Sequence, residues 1–281
     1  MDAKRVSRPR PYWRVDAKWV VGLLLILALN LAMLFYNLYL VTEAAPAVET
    51  MSTMLAVLTS PEGLDDATAI DAALEQLRAN PDHAIRPFPG LSVELRESDI
   101  TGRSPRELRL FVWRQLAEPL YREGPEGLMA RIEDPEMRAG FAGGIGPLAL
   151  FSLQAHQTLF RLLWIVLPCT LVLLALLILF SYRFGRLGSP GLVLFVASLP
   201  GAIVSTALSR MPPADALLVG LEQDVGLTDR LGQVASQVLP PMMRDFSVSY
   251  TIVLLTGLAL IIVAVLGGLI WRLTRRRVNM M

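Results

Sequence analysis

The chain has 281 residues, of which 53% are hydrophobic, and its mean hydropathy is +0.49. An ordinary soluble domain is about 45–50% apolar even with glycine counted, so the composition argues against a wholly soluble protein and for a membrane protein. The formal net charge is +1, and the single cysteine, Cys169, excludes an internal disulfide bond. Two histidines and no cysteine pair argue against a zinc site, so no cofactor is expected.

Four charge-free apolar runs predict four transmembrane helices. They are residues 19–41, 162–182, 191–208 and 250–271. The first run has 23 residues. A helix of that length covers about 34 Å, against a hydrocarbon core of about 30 Å. Because a backbone in lipid has to satisfy its own hydrogen bonds, each run is expected to be helical.

The distribution of charge predicts the orientation. Residues 1–18, 183–190 and 272–281 together carry twelve basic and two acidic side chains. The segments 42–161 and 209–249 carry 14 basic and 23 acidic side chains. The positive-inside rule therefore places both termini and the 183–190 loop in the cytoplasm, with the two acidic segments outside the cell membrane.

A cleaved signal peptide is the alternative to a first transmembrane helix. Ala45-Pro46-Ala47 has the small-x-small pattern of a cleavage site. The apolar part of a signal peptide has about 7–15 residues, which is shorter than the first run. The length therefore favours an uncleaved anchor.

The sequence of the outside segment 42–161 predicts mainly helical structure. We expect a helix over 42–58 that continues the first span with a kink at Pro46, and a second helix from Ser60 to Asn80. Ser104 and Glu107 have the spacing of a capping box and predict the start of a third helix. One face of that helix carries Leu108, Phe111, Val112, Leu116 and Leu120. Trp113 lies off this face and reads as a half-buried aromatic or as a partner-facing side chain.

The outside segment 209–249 predicts one or two amphipathic helices between Asp215 and Val238, interrupted near Gly226. Pro240-Pro241 is expected to separate them from the fourth span. The predicted fold class is thus an all-α membrane protein, with four transmembrane helices and a mainly helical ectodomain inserted between spans one and two.

Two sets of polar or small residues are candidate sites. No span has an Asp, Glu, Lys, Arg or His side chain in its middle, which argues against an ion-coupled transporter or pump. Small and amide side chains in the spans form a candidate helix–helix interface, within one bundle or with a second subunit; these residues are Asn30, Asn37, Gly201, Ser205 and Gly257. Polar side chains predicted at one membrane face form a candidate polar cluster, and these are His156, Arg161, Arg244 and Asp245. No catalytic, cofactor-binding or metal-binding residue is assigned.

Three functions follow from this organisation. Charge-free spans, an acidic ectodomain and short cytoplasmic segments favour a non-enzymatic protein whose ectodomain acts as a sensor, scaffold or assembly subunit of a membrane complex. Its expected partners are the lipid bilayer and either another protein or a second copy of the chain, and no nucleic acid.

The first alternative is a permease-like subunit of an ATPase-driven machine. The order of spans and outside segments resembles that of bacterial cell-division permeases in topology alone. That family carries a longer cytoplasmic segment between spans two and three than residues 183–190 provide. The second alternative is a membrane-embedded enzyme that acts on a lipid-linked substrate through the candidate polar cluster.

Overall fold

The chain is described by a computed structural model that covers residues 13–59, 75, 79, 84–85, 95–100, 102–131, 138, 146–182, 184–210 and 225–278. The described residues are nearly all helical, which confirms the predicted all-α class. The expected helix from Ser60 to Asn80 and most of the N-terminal tail lie outside them.

The described helices are α1 (Trp13–Val41), α2 (Ala44–Thr59), α3 (Glu97–Ile100), α4 (Pro105–Arg131), α5 (Leu153–Phe180), α6 (Gly185–Ser209) and α7 (Val225–Val278). A 3-10 helix, Gly146–Phe151, precedes α5. Strands β1 (Ala84–Ile85) and β2 (Leu95–Arg96) pair antiparallel, with Ala84 opposite Arg96 and Ile85 opposite Leu95.

Within the described part of the chain, four helical segments are long and apolar enough to cross a membrane, which confirms the predicted multi-pass membrane protein. They are Val15–Val41, Leu153–Phe180, Gly185–Ser209 and Val234–Thr274. Many of their large apolar side chains are exposed, for example Leu27 at 68% and Leu179 at 73%. Such exposure is expected where the surrounding solvent is lipid.

The chain divides into two compact units. Unit 1 comprises residues 1–36, 162–206 and 245–281, and unit 2 comprises residues 37–161 and 207–244. Each unit has its own hydrophobic cluster among the described residues.

Helices α1, α5 and α6 share the cluster of unit 1. Leu25, Leu177 and Val193 are buried against one another, one from each helix. The Thr170 hydroxyl lies 3.5 Å from the Ala28 carbonyl and 2.8 Å from the Val166 carbonyl of its own helix. A polar side chain in an apolar span is thus satisfied mainly within its own helix.

Helices α6 and α7 pack antiparallel in unit 1. Gly191 faces Gly257, and further along α6 the Thr206 hydroxyl lies 2.9 Å from the Ser247 hydroxyl. Residues later in α6 contact residues earlier in α7, as antiparallel packing requires. Packing of this kind relies on small residues, because apolar side chains gain little by leaving lipid for a neighbouring helix.

The expectation that Pro240-Pro241 separates the last span from the preceding segment is wrong. Helix α7 begins at Val225 and continues through both prolines to Val278. Each proline fixes φ near −65°, a value that suits a helix. It also removes the hydrogen bond to the fourth preceding carbonyl and its ring crowds that carbonyl, which kinks some helices and breaks others. The expected interruption near Gly226 stays a prediction, because the described helix begins at Val225 and residues 211–224 lie outside the described part of the chain.

The first span also ends differently from the expectation of one continued helix. α1 ends at Val41, Thr42 and Glu43 form a turn, and α2 begins at Ala44. Pro46 has no N–H to donate to the Thr42 carbonyl, and its ring clashes with that carbonyl in a continuous helix. The chain is therefore redirected at Thr42 rather than kinked at Pro46.

The core of unit 2 is built mainly by α2 and α4. From α2 it contains Met51, which is fully buried, and Leu55; from α4 it contains Leu116 and Leu120. The predicted capping box at the start of α4 is confirmed. Its two hydrogen bonds join Ser104 N to Glu107 Oε2 at 2.9 Å and Glu107 N to Ser104 Oγ at 3.3 Å. These hydrogen bonds lower the pKa of Glu107.

Trp113 belongs to this core, so its reading as half-buried or partner-facing is wrong. Its side chain is only 5% exposed, and Ala117 and Tyr121, which follow at intervals of four, are equally buried. Phe111, which the predicted face included, is only partly buried. The buried face of α4 is thus rotated toward Trp113, because it carries two rows of side chains rather than one.

Candidate ligand pocket

A cavity of about 590 Å³ lies in unit 2 and is hereafter the Tyr121 pocket. Its walls come from the end of α1, the middle of α4, the 3-10 helix and the first turns of α5. Lining residues from these elements include Leu38, Thr42, Tyr121, Leu150, Ala155 and Leu159. Ligand pockets in proteins commonly have about 300–1,000 Å³ and mostly apolar walls with a few polar groups, and the Tyr121 pocket fits this pattern.

Tyr121 contributes a buried polar group to the pocket. Its hydroxyl donates a hydrogen bond of 3.2 Å to the Thr42 carbonyl. That is the carbonyl left without a helical donor by Pro46. Burial raises the pKa of Tyr121, with smaller contributions from the charges of Glu43 and Tyr39. The phenol therefore stays neutral and remains a donor at physiological pH.

Gly124 bends α4 where it forms the pocket wall. Its backbone has φ 75° and ψ −175°, which interrupts the helix between Glu123 and Pro125. A side chain strongly disfavours this combination of angles, so glycine is the residue that the bend requires. All three residues line the pocket.

A second polar group beside Thr42 is His156 on α5. The Thr42 hydroxyl lies 3.1 Å from His156 Nδ1 and 3.1 Å from the Tyr39 carbonyl. When the hydroxyl gives its single proton to that carbonyl, Nδ1 carries the proton shared with Thr42. The His156 ring also stacks on the Tyr39 ring, with centroids 4.3 Å apart and planes inclined by 24°. These contacts tie the start of α5 to the end of α1.

The charged groups at the pocket lie on α4. The Arg122 guanidinium forms an ion pair of 2.8 Å with Glu118, one helical turn earlier. Both side chains are more than half exposed, so this pair contributes little to stability. Glu123 follows directly, so the rim has no excess of positive charge to hold an anion.

The candidate helix–helix residues occupy several different contacts. Gly201 lies against the ring of Tyr250, and Gly257 lies against the backbone of Gly191 and Phe195, so both belong to the packing of α6 on α7. Ser205 is buried and donates to the Gly201 carbonyl of its own helix at 2.7 Å.

The two asparagines of α1 differ from each other. The side-chain amide of Asn30 donates to the Ile26 carbonyl of α1 at 2.9 Å. Asn37 is fully buried in unit 2. An amide that hydrogen-bonds its own helix has less capacity left for a neighbouring helix.

The candidate polar cluster of His156, Arg161, Arg244 and Asp245 stays a prediction. Arg161 and Arg244 are exposed. Asp245 is also exposed. His156 contacts Thr42 and Tyr39, two residues that the sequence did not single out.

Comparison with protein-family models, with curated proteins and with solved structures found no match for this chain. Among the described residues, no group of three or more His, Cys, Asp or Glu is placed to hold a metal ion. What the Tyr121 pocket offers chemically is an apolar surface with hydroxyl groups at one side. Sequence reasoning missed it because its walls come from four separate elements; the one local signal was the glycine between Glu123 and Pro125.

Proposed function

We propose that this chain is a non-enzymatic protein of the cell membrane, with segment 42–161 outside as an ectodomain that acts as a sensor, scaffold or assembly subunit. Both termini lie in the cytoplasm under this proposal. The observation that carries it is the Tyr121 pocket, a mostly apolar cavity whose walls include the ends of two helices that continue into candidate membrane spans. A ligand or partner bound there contacts α1 and α5 directly.

The charge distribution supports the placement of segments 42–161 and 209–249 outside. The segments 42–161 and 209–249 are acidic, whereas residues 1–18 and 272–281 are strongly basic. Lysine and arginine are retained on the cytoplasmic side of short membrane-flanking segments. The cytoplasmic tails would also attract anionic lipid headgroups.

The two alternatives have less support. α5 ends at Phe180 and α6 begins at Gly185, which leaves little chain on which an ATPase could act in a permease-like subunit. An enzyme acting on a lipid-linked substrate needs converging acid, base or nucleophilic groups. His156 is engaged by Thr42 and Tyr39 instead.

Cysteine labelling in intact cells tests the orientation. The native Cys169 is replaced by serine, and a single cysteine is introduced at the exposed positions Glu126 in α4 or Arg272 in α7. We expect a membrane-impermeant maleimide to label Glu126→Cys in intact cells and Arg272→Cys only after permeabilisation. The reverse pattern would overturn the proposed orientation.

Photo-crosslinking in native membranes tests the partner role. A benzophenone amino acid at Arg114, on the exposed face of α4, is compared with the same amino acid at Leu179, which is 73% exposed in a candidate span. We expect a reproducible protein adduct from position 114 and lipid adducts from position 179. Repeated absence of a protein adduct from position 114 would remove the scaffold and assembly roles.

A further inference from the structure

One wall of the Tyr121 pocket belongs to the membrane-spanning helices themselves. Leu38 lies in the candidate span Val15–Val41, and Ala155 and Leu159 lie in the candidate span Leu153–Phe180. All three are in unit 2. The apolar surface that α1 and α5 present to lipid therefore continues into the pocket.

Exposed apolar side chains extend this surface at the edge of the pocket. Leu150, a lining residue, is 70% exposed, and Phe160, one position beyond the lining residue Leu159, is 47% exposed. Phe160 also lies 6.0 Å from the Tyr39 ring. Tyrosine is enriched where a membrane-spanning helix leaves the hydrocarbon core. The position of Tyr39 near the end of the candidate span Val15–Val41 therefore favours a pocket near the membrane–water interface.

The chemistry of the walls selects an apolar occupant. Among the described lining residues, Arg122 is paired with Glu118 and Glu123 is acidic, so these residues do not favour an anionic headgroup. The lining that α1 and α5 contribute includes Leu38, Ala155 and Leu159. In a bilayer, lipid acyl chains are present beside these helices at very high local concentration. A soluble apolar ligand would first have to transfer from water or from the bilayer into the pocket.

We infer that the Tyr121 pocket holds an acyl chain of one membrane phospholipid, taken from the leaflet in which α1 ends and α5 begins. This inference names a ligand for the binding role proposed above and rests on that role. The bound acyl chain lies between α4 and the ends of α1 and α5, beside the Tyr121–Thr42 hydrogen bond. An acyl chain bound in the Tyr121 pocket connects the bilayer with the core of unit 2.

Photolabelling in a bilayer tests this inference. The full chain is placed in nanodiscs of dioleoylphosphatidylcholine that contain a small fraction of phosphatidylcholine with a diazirine on one acyl chain. After irradiation, adducts are mapped by mass spectrometry. We expect adducts on the α4 segment from Tyr121 to Pro125, which lies outside the four candidate spans, in addition to adducts on the spans.

Matched variants separate the pocket from general lipid contact. Ala155→Phe fills the pocket, and Ala175→Phe places the same side chain on an exposed position of the same helix. We expect the α4 adducts of Ala155→Phe to fall at least about tenfold, equivalent to about 1.4 kcal/mol of lost binding free energy. Ala175→Phe is expected to leave them unchanged. Thr158→Phe, at an exposed lining position, provides a second filled pocket if Ala155→Phe fails to fold.

Two outcomes would overturn the inference. One is the absence of α4 adducts in the wild type while the spans are labelled, and the other is equal α4 labelling in both filled-pocket variants and the control. Displacement of the probe by a copurifying peptide would assign the pocket to a protein partner instead. The lipid site and the proposed orientation can fail independently. If α4 carries lipid adducts but Glu126→Cys is labelled by the maleimide only after permeabilisation, the lipid site is kept and the orientation is rejected.

Discussion

The hydroxyl of Tyr121 donates its hydrogen bond to the carbonyl of Thr42, a residue 79 positions earlier in the chain. Pro46 cannot serve that carbonyl, since proline lacks the N–H that would reach back four residues. A break between two helices is thus stabilised by a side chain from a third. The same pair forms part of the pocket wall, so the stability of this break and the shape of the pocket depend on one interaction.

Replacing Tyr121 by phenylalanine tests the contribution of this hydrogen bond. Tyr121→Phe keeps the ring in the core but removes the donor. We expect the free energy of unfolding to fall by about 1–3 kcal/mol, the usual cost of leaving a buried polar group unsatisfied. Denaturant titration in detergent micelles measures the change. Tyr36→Phe, at a position that is 46% exposed, is the control and should alter stability much less. Equal stability of the two variants would contradict the role given to the hydroxyl.

The raised pKa of Tyr121 predicts a loss of stability at alkaline pH. The phenol ionises in the unfolded chain near its ordinary pKa of 10.0, whereas burial raises the pKa in the folded chain. Its contribution is therefore complete below pH 10 and is lost as the pH rises through the folded-state pKa. We expect the wild type to lose more stability than Tyr121→Phe over this range. Parallel melting curves above pH 9 measure the difference, and coincident slopes would contradict the prediction.

The contact between Gly191 and Gly257 predicts sensitivity to one methyl group. A Cβ added at Gly257 would lie 2.6 Å from the Phe195 nitrogen and 2.8 Å from the Gly191 oxygen, so the two helices would have to separate. We expect Gly257→Ala to lower the free energy of unfolding by about 1–3 kcal/mol, as overpacking usually does. Gly268→Ala is the matched control on α7, because nothing lies within 4 Å of a Cβ there. Similar unfolding midpoints for both variants would show that the close approach is unimportant.

The two tryptophans Trp113 and Trp164 provide a direct test of the core of unit 2. Trp113 is 5% exposed, whereas Trp164, in a candidate span, is 69% exposed. We expect Trp113→Ala to cost about 3–5 kcal/mol because it leaves a large cavity. Trp164→Ala should change the stability by about 0.5 kcal/mol or less, as exposed substitutions usually do. Denaturant titration of both variants in the same detergent decides the matter, and a small effect at Trp113 would reject the assigned core.

The spans could be predicted from the sequence because they depend on a local property, the absence of charge over about 20 residues. The capping box of Ser104 and Glu107 could be predicted for the same reason, since its two hydrogen bonds join residues three positions apart. The face of α4 was misjudged at Trp113 because two neighbouring helices bury two rows of side chains. The Tyr121–Thr42 and His156–Thr42 contacts join residues 79 and 114 positions apart, which no local pattern encodes.

Gly124 connects the stability of α4 to the shape of the pocket. Its φ of 75° and ψ of −175° lie in a region that other residues enter at a cost of about 1–3 kcal/mol. A Cβ at this position would meet nothing within 4 Å, so Gly124→Ala strains the backbone without a steric clash. We expect a loss of stability of that size, and a fall in α4 photolabelling, because the alanine favours a straighter helix that displaces Glu123 and Pro125 from the pocket wall. Gly268→Ala, which has equal space in regular helix, should show neither effect. Wild-type stability and labelling in Gly124→Ala would mean that the bend is not what shapes the pocket.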